Sequence, residues 1–129
     1  MREILFRAKR HKKYCKAQNW TFGVPFIDHE GDCIFKTSSS EYVVDPETVG
    51  ECSFVPDKNG VMMFEGDIVT GLFLFERSVN AVVTFQDGAF GLEWCRGNVK
   101  TFNAFTSICN VEYEVIGNIH DSPELLKGD

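Results

Sequence analysis

The chain has 129 residues, 43% hydrophobic and 25% charged, and carries a net charge of −6. A length of this order suits one domain that buries roughly two-thirds of the surface its unfolded chain exposes. No apolar run approaches the ~20 residues that span a bilayer, and Met1-Arg2-Glu3-Ile4-Leu5-Phe6-Arg7 lacks the apolar stretch of a signal peptide, so the expected location is cytoplasmic, with no membrane partner.

Glu3 to Ala8 alternates, with Ile4 and Phe6 on one face and Leu5 and Arg7 on the other, which predicts a first strand. His11 to Lys16 is polar and unpatterned and reads as a loop. Trp20 to Ile27 restores strand character, with Trp20, Phe22, Val24 and Phe26 sharing one face. Pro25 has no N–H to give to a ladder and argues for an edge position or an early end. Asp28-His29-Glu30-Gly31-Asp32 is a polar turn before a returning strand, Cys33-Ile34-Phe35, so a hairpin is expected. Thr37 to Ser40 turns again, and Tyr42-Val43-Val44 is a short strand. Pro46 then breaks the pattern by pushing Asp45 out of the helical region.

Cys52 to Val55 is extended. Asp57-Lys58-Asn59-Gly60 turns, because Asn59 and Gly60 tolerate positive φ. Glu65-Gly66-Asp67 is a second tight corner, in which Asp67 can accept backbone N–H groups, and it launches Ile68-Val69 into the longest β region. Leu72 to Glu76 alternates, and Val79 to Phe85 is β-branched and apolar. Gln86-Asp87-Gly88 is the strongest hairpin signal in the chain, and Phe90, Leu92 and Trp94 share a face of the strand that returns from it. Arg96-Gly97-Asn98 turns once more. Over 102–109, Phe102, Phe105 and Cys109 fit a helical face with Thr101 as cap, so a short helix or turn is one expectation there. Val111 to Ile116 alternates as a strand stopped by Gly117-Asn118, and Ser122-Pro123-Glu124 suits the start of a single helical turn ending near Lys127.

Nine or ten short strands with little helix predict a mainly β chain. The corner at Gly66, feeding a curved meander, points to a small SH3-like barrel. The expected organisation is one unit over 1–129: a β extension over 1–48, the barrel over 49–129, and a short C-terminal helical turn.

Charge is unevenly placed. Residues 1–20 hold seven Lys/Arg and one Glu, net +6; the rest holds six Lys/Arg and eighteen Asp/Glu, net −12. Such a basic arm on an acidic body can meet a phosphate backbone, an acidic surface of its own or another chain, or simply protect an edge strand. Cys15, Cys33, Cys52, Cys95 and Cys109 are odd in number, widely spaced and form no C-x-x-C, which predicts reduced thiols.

Four ordered blocks carry a family resemblance: Met1-Arg2-Glu3-Ile4-Leu5-Phe6-Arg7-Ala8; Val44-Asp45-Pro46-Glu47-Thr48-Val49-Gly50; Asp57-Lys58-Asn59-Gly60 with Phe64-Glu65-Gly66-Asp67-Ile68-Val69; and Tyr113 to His120 with Pro123-Glu124-Leu125-Leu126. Together they resemble the YopX family, small proteins found mostly in phages, prophages and mobile elements. Two departures occur, at Glu51 to Val55, where members often read Q-Y-T-G-L, and at His120, where an aromatic is usual. The resemblance implies a β-rich, SH3-like barrel and a phage- or prophage-associated origin in a bacterial host; it implies no active site.

No set of residues with catalytic spacing stands in the chain. Asp57-x-Asn59-Gly60 does not complete an EF-hand, because positions five, six and twelve are Val61, Met62 and Ile68. Asp28, His29, Glu30 and Asp32 match no metal-site spacing, and His11 with Cys15 lacks a second ligand pair. Glu65 and Asp67 flank Gly66 and are better explained as turn residues than as an acid–base pair. No G-x-S-x-G, P-loop or G-x-G-x-x-G occurs. The expectation is therefore no catalysis, no metal and no cofactor. Arg7, Lys9, Arg10, Lys12 and Lys13, interleaved with Phe6 and Tyr14, are the candidate nucleic-acid contacts. Asp57, Asn59, Gly60, Gly66, Asp67, Gly88 and Gly117 are the candidate structural turns. The leading expectation is a protein-interaction or self-associating module that binds a protein partner or a second copy; nucleic acid is the alternative partner.

Overall fold

A computed structural model describes residues 4–37, 39–73, 77–96, 98–105 and 113–126, and the statements below concern these. Their strands fall into two antiparallel sheets, and the chain divides into two compact units, Met1–Cys52 and Ser53–Asp129. Among the described residues no helix is long and apolar enough to cross a membrane.

The first unit holds β1 (Phe6–Lys9), β2 (Trp20–Ile27), β3 (Cys33–Lys36), β4 (Glu41–Val43) and the start of β5 (Gly50–Pro56). The order is β4-β3-β2-β1-β5. Arg10 adds an isolated antiparallel bridge to Val44, so the end of β1 also meets the end of β4. The inner face packs Phe35, Ala8, Val44 and Cys33, with Phe6 and Val49 against them. A 3-10 turn over Pro46–Thr48 is capped by Asp45, whose Oδ1 accepts from the Glu47 N–H at 3.1 Å. Thr48 Oγ1 then accepts from the Lys9 N–H at 2.8 Å and donates to the Asp45 carbonyl at 2.7 Å, tying the turn to β1.

Pro25 sits in β2, between β1 and β3 in the sheet, and not on an edge strand. The physical reason is local. β1 pairs with β2 only from Phe6↔Gly23 to Lys9↔Trp20, so no β1 partner lies opposite Pro25, and its other side faces Phe35 of β3. The missing N–H therefore removes no ladder bond on the β1 side.

The second unit carries the remainder of β5, β6 (Met62–Phe64), β7 (Asp67–Phe73), β8 (Arg77–Gln86), β9 (Ala89–Arg96), β10 (Val99–Ala104) and β11 (Glu114–Asn118), and ends in a 3-10 turn, Pro123–Leu126. Its five-stranded sheet runs β10-β9-β8-β7-β11. Met63, Val69, Ala81, Val83, Leu92, Trp94 and Tyr113 form its core. This sheet is open and not the closed barrel expected. Closure needs a ladder between the two edge strands, and among the described residues β10 pairs with β9 and β11 with β7.

Turn chemistry explains the corners. Asp87 (φ 52°) and Gly88 (φ 83°) both have positive φ, as a type I′ hairpin requires. Asp57 is buried; its Oδ1 accepts from the Asn59 and Val61 N–H groups at 2.8 and 2.9 Å, and its Oδ2 from the Val115 N–H at 2.9 Å. Burial alone would raise its carboxyl, but those three N–H donors and the Lys58 charge together hold it below its usual value. Asp67 Oδ2 accepts from the buried Phe64 N–H at 2.8 Å. Gly66 (φ 93°) gives its N–H to the Val83 carbonyl and takes one from Ile119. A Cβ there would meet only ordinary contacts at 3.7 Å from His120 and Ile119. Gly66→Ala is thus expected to cost about 1–2 kcal/mol through backbone strain alone, read as a lower urea midpoint with unchanged slope.

Two further expectations are corrected. Gly117 lies inside β11 at a register shift and pairs with Ile68, so it does not end the strand. Glycine suits the position because a Cβ would fall 3.0 Å from Leu125 Cδ1. Phe102, Asn103 and Ala104 are strand residues, held opposite Glu93, Leu92 and Gly91 of β9, while Phe105 takes the 3-10 conformation the helix-or-turn expectation allowed. The rest of that expected helical stretch beyond Phe105, the strand residues Val111 and Glu112, and Glu3, Gly97 and Lys127 lie outside the described residues, as do residues 74–76.

Candidate functional site

β2 is amphipathic in the reverse sense. Its small residues Thr21, Gly23 and Pro25 face the core side, opposite Ala8, Phe6 and Phe35 in the ladders. Its large apolar residues face outward: Phe22, Val24 and Phe26 are 50%, 52% and 40% exposed, whereas Thr21 is only 8% exposed. The cause lies in neighbouring strands. Phe35, fully buried, already fills the interior, and a Cβ at Gly23 would come within 2.6 Å of the Lys36 carbonyl oxygen, so β2 and β3 approach too closely there for a larger inward residue.

The outer face continues onto β1. Lys9 lies opposite Trp20 and Arg7 opposite Phe22, which puts both cations on the aromatic side. The Arg7 guanidinium stands 4.7 Å from the centre of the Trp20 ring and the Lys9 ammonium 5.7 Å from it, within cation–π range. Lys36, exposed, lies opposite Val24 on the other flank. The face is therefore a stripe of rings and aliphatic groups with a basic rim.

The remaining basic candidates separate. Arg10 points to the opposite side, its guanidinium 4.2 Å from the Tyr42 ring. Lys12 and Lys13 are exposed on the turn joining β1 to β2, with the Lys13 ammonium 5.5 Å from the Tyr14 ring. The five are thus not a free arm but parts of a central strand and its adjoining turn. Nearby, a hydrogen bond from the Asn19 backbone holds the Cys15 thiol below its ordinary value, with the Arg10 charge acting the same way. From residue 4 to residue 27 there are six Lys/Arg and no Asp or Glu.

The acidic candidates do turn work. Asp28, Glu30 and Asp32 bring carboxylate oxygens within 4.8 Å of one another, alone among the described residues in forming a three-ligand group. Asp28 Oδ1 is nevertheless committed to the Glu30 and Asp32 N–H groups of its own hairpin tip. Asn59 and Gly60 belong to the turn that Asp57 organises, and Asp67 is buried in the corner after Phe64. Cys33 and Cys52 are buried, and burial raises the Cys33 thiol.

Sequence reasoning found Trp20, Phe22, Val24 and Phe26 on one face but read them as ordinary strand. The available signal was the other face: Thr21, Gly23 and Pro25 are poor core fillers, so a strand made this way has its bulk pointed outward.

The family model described as YopX protein matches residues 5–127, nearly the whole chain. The chain belongs to the YopX family. This YopX chain also resembles the crystal structure of protein EF1440 from Enterococcus faecalis, with a TM-score of 0.61 and 22% identity, over 98% of this chain and 100% of that one. At that identity the likeness concerns the fold alone. No curated protein matches the YopX chain.

Proposed function

We propose that this YopX-family chain is a non-enzymatic, phage- or prophage-type accessory protein of the bacterial cytoplasm that works by binding, through the outer face of β1 and β2. One observation carries this: Phe22, Val24 and Phe26 stand side by side in water on a strand whose small residues face the core. Contiguous apolar surface rimmed by polar groups marks interaction sites. Covering the three half-exposed side chains would return roughly 3 kcal/mol before association costs. The order β10-β9-β8-β7-β11, a meander whose last strand returns beside its first, supports reading the C-terminal unit as SH3-like and the N-terminal unit as the element added to it.

Phe22→Ser combined with Phe26→Ser tests the proposal. Both positions are half exposed, so stability in urea is expected to stay within about 0.5 kcal/mol of the parent. Association of every kind, with itself by light scattering and with added ligands by titration, is expected to fall. Association that is identical in parent and double variant sinks the proposal.

A further inference from the structure

We infer that the occupant of the β1–β2 outer face is single-stranded nucleic acid, held by stacking of bases on the β2 rings and by phosphate contacts to the basic rim. The inference rests on the reading of that face as the working surface. Three features of the face point to this ligand class.

The first is spacing. Along a strand, side chains on one face recur every two residues, about 6.8 Å. That is twice the 3.4 Å advance of stacked bases along one strand of a duplex. Phe22 and Phe26, exposed and two such steps apart at about 13.6 Å, therefore offer ring positions to bases that have been drawn apart, as in an extended single strand, and not to bases stacked on one another. Aromatic rings on an open antiparallel sheet accept unstacked bases whatever their sequence.

The second is charge. Arg7 and Lys9 lie on the same face as the rings, opposite Phe22 and Trp20, and Lys36 lies opposite Val24. Lys12, Lys13 and Lys16 are exposed on the turn that leads into Trp20. Phosphates of a strand laid along β2 thus have cations on the β1 flank and at the Trp20 end, while on the β3 flank Lys36 stands opposite Glu41. Between residues 4 and 27 there is no Asp or Glu; Asp28, Glu30 and Asp32 follow at the far end of the strand, and Glu41 lies opposite Lys36 on β4.

The third is the cation–π arrangement itself. Arg7 and Lys9 both rest against Trp20, which keeps their charge beside a ring and orients it along the stripe. A purely apolar protein partner gains nothing from cations so placed, whereas a ligand that alternates flat rings and negative charge matches both parts. Duplex DNA does not match: its bases are already stacked, and a row of rings offers no helix or ribbon to enter a groove.

Fluorescence anisotropy of labelled single-stranded twelve-nucleotide dT and rU oligomers, with a duplex of the same length as competitor, tests the inference on the full chain. Low-salt binding of the single strands is expected, with the duplex a poor competitor. With up to six phosphates neutralised by Arg7, Lys9, Lys12, Lys13, Lys16 and Lys36, log K should fall with log salt at a slope of up to about −4. Phe22→Ala and Phe26→Ala should each weaken binding by roughly 5- to 150-fold, while Phe26→Tyr, which keeps a ring, restores it. Lys12→Ala with Lys13→Ala should leave stacking intact and reduce the salt slope by about 1.4. Circular dichroism of each variant separates lost binding from lost fold. No single-strand binding at low salt, equal competition by duplex, or binding indifferent to both Phe→Ala changes would each overturn the inference. If single strands do not bind but the Phe22→Ser, Phe26→Ser variant still loses self-association or a protein ligand, the nucleic-acid inference falls and the binding face stands. If that variant alters no association at all, both fall.

Discussion

Replacing Asp57 by alanine should destabilise the protein by about 3–4 kcal/mol, although the residue lies outside the β1–β2 face proposed to bind. Its carboxylate satisfies three backbone N–H groups, two in its own turn and one, from Val115, in the last strand. Truncation leaves those donors without the acceptor around which the turn is built, and each orphaned buried donor costs about 1–3 kcal/mol, less where water can enter. Asp57→Asn should cost about half as much. It keeps Oδ1 for Asn59 and Val61 but sets an NH2 group against the Val115 N–H. The pH dependence has a definite sign. The folded carboxyl is held below its ordinary value of 3.8, so the stability it contributes is present above that value and disappears as pH falls through the lower folded one. The difference in stability between parent and Asp57→Ala in urea titrations should therefore be greatest above pH 3.8 and narrow as pH falls below it. A difference that stays constant with pH would contradict the assigned role.

Phe35→Ala is expected to cost about 3–5 kcal/mol, the value for emptying a fully buried aromatic site. Phe35 is wholly inaccessible and packs with Ala8, Cys33 and Val44. Gly23 and Pro25 on the facing strand cannot expand to fill the space it leaves. The chain has two tryptophans, Trp20 in the N-terminal unit and Trp94 in the other, so urea unfolding followed at Trp20 in a Trp94→Phe background reads the effect locally. The midpoint should fall with little change in slope. Phe22→Ala, on the same sheet but half exposed, should move that midpoint hardly at all. Equal costs at Phe35 and Phe22 would mean that inside and outside have been assigned to the wrong faces.

That pair of residues shows what the sequence could and could not reveal. Short-range chemistry was readable: Asp87-Gly88 announces its own turn because both residues accept positive φ, Gly60 and Gly66 announce theirs in the same way, and Asp57 marks its turn by a side chain that accepts backbone N–H groups. The bounds of β2 were readable from alternation. Which of its faces is inside was not, because that depends on Phe35 having filled the interior from another strand. Phe102 and Phe105 fit a helical spacing, yet Thr101 to Ala104 is a strand because β9 lies alongside, a pairing that no local window contains. Met62–Phe64 was missed because its two methionines carry no strong β-propensity and the run shows no alternation of polar and apolar residues. The basic cluster was legible as charge; that two of its members lie on a ring, one on the opposite side and two on a turn came only with register. Membership of the YopX family was legible because its blocks sit on turns and strand starts whose chemistry is local.

The bond from Val115 to Asp57 also sets an order of events. Its two partners are 58 residues apart in sequence, and at 5–20 residues per second a ribosome takes roughly 3–12 s to deliver the second after the first. During that interval β7, β8, β9 and β10 can zip together as successive hairpins. The edge of β7 that will receive β11 has no partner, and the Asp57 turn lacks its third donor. Completion of the sheet therefore waits on β11, and the edge of β7 is where a nascent chain of this protein is open to pairing with the wrong strand.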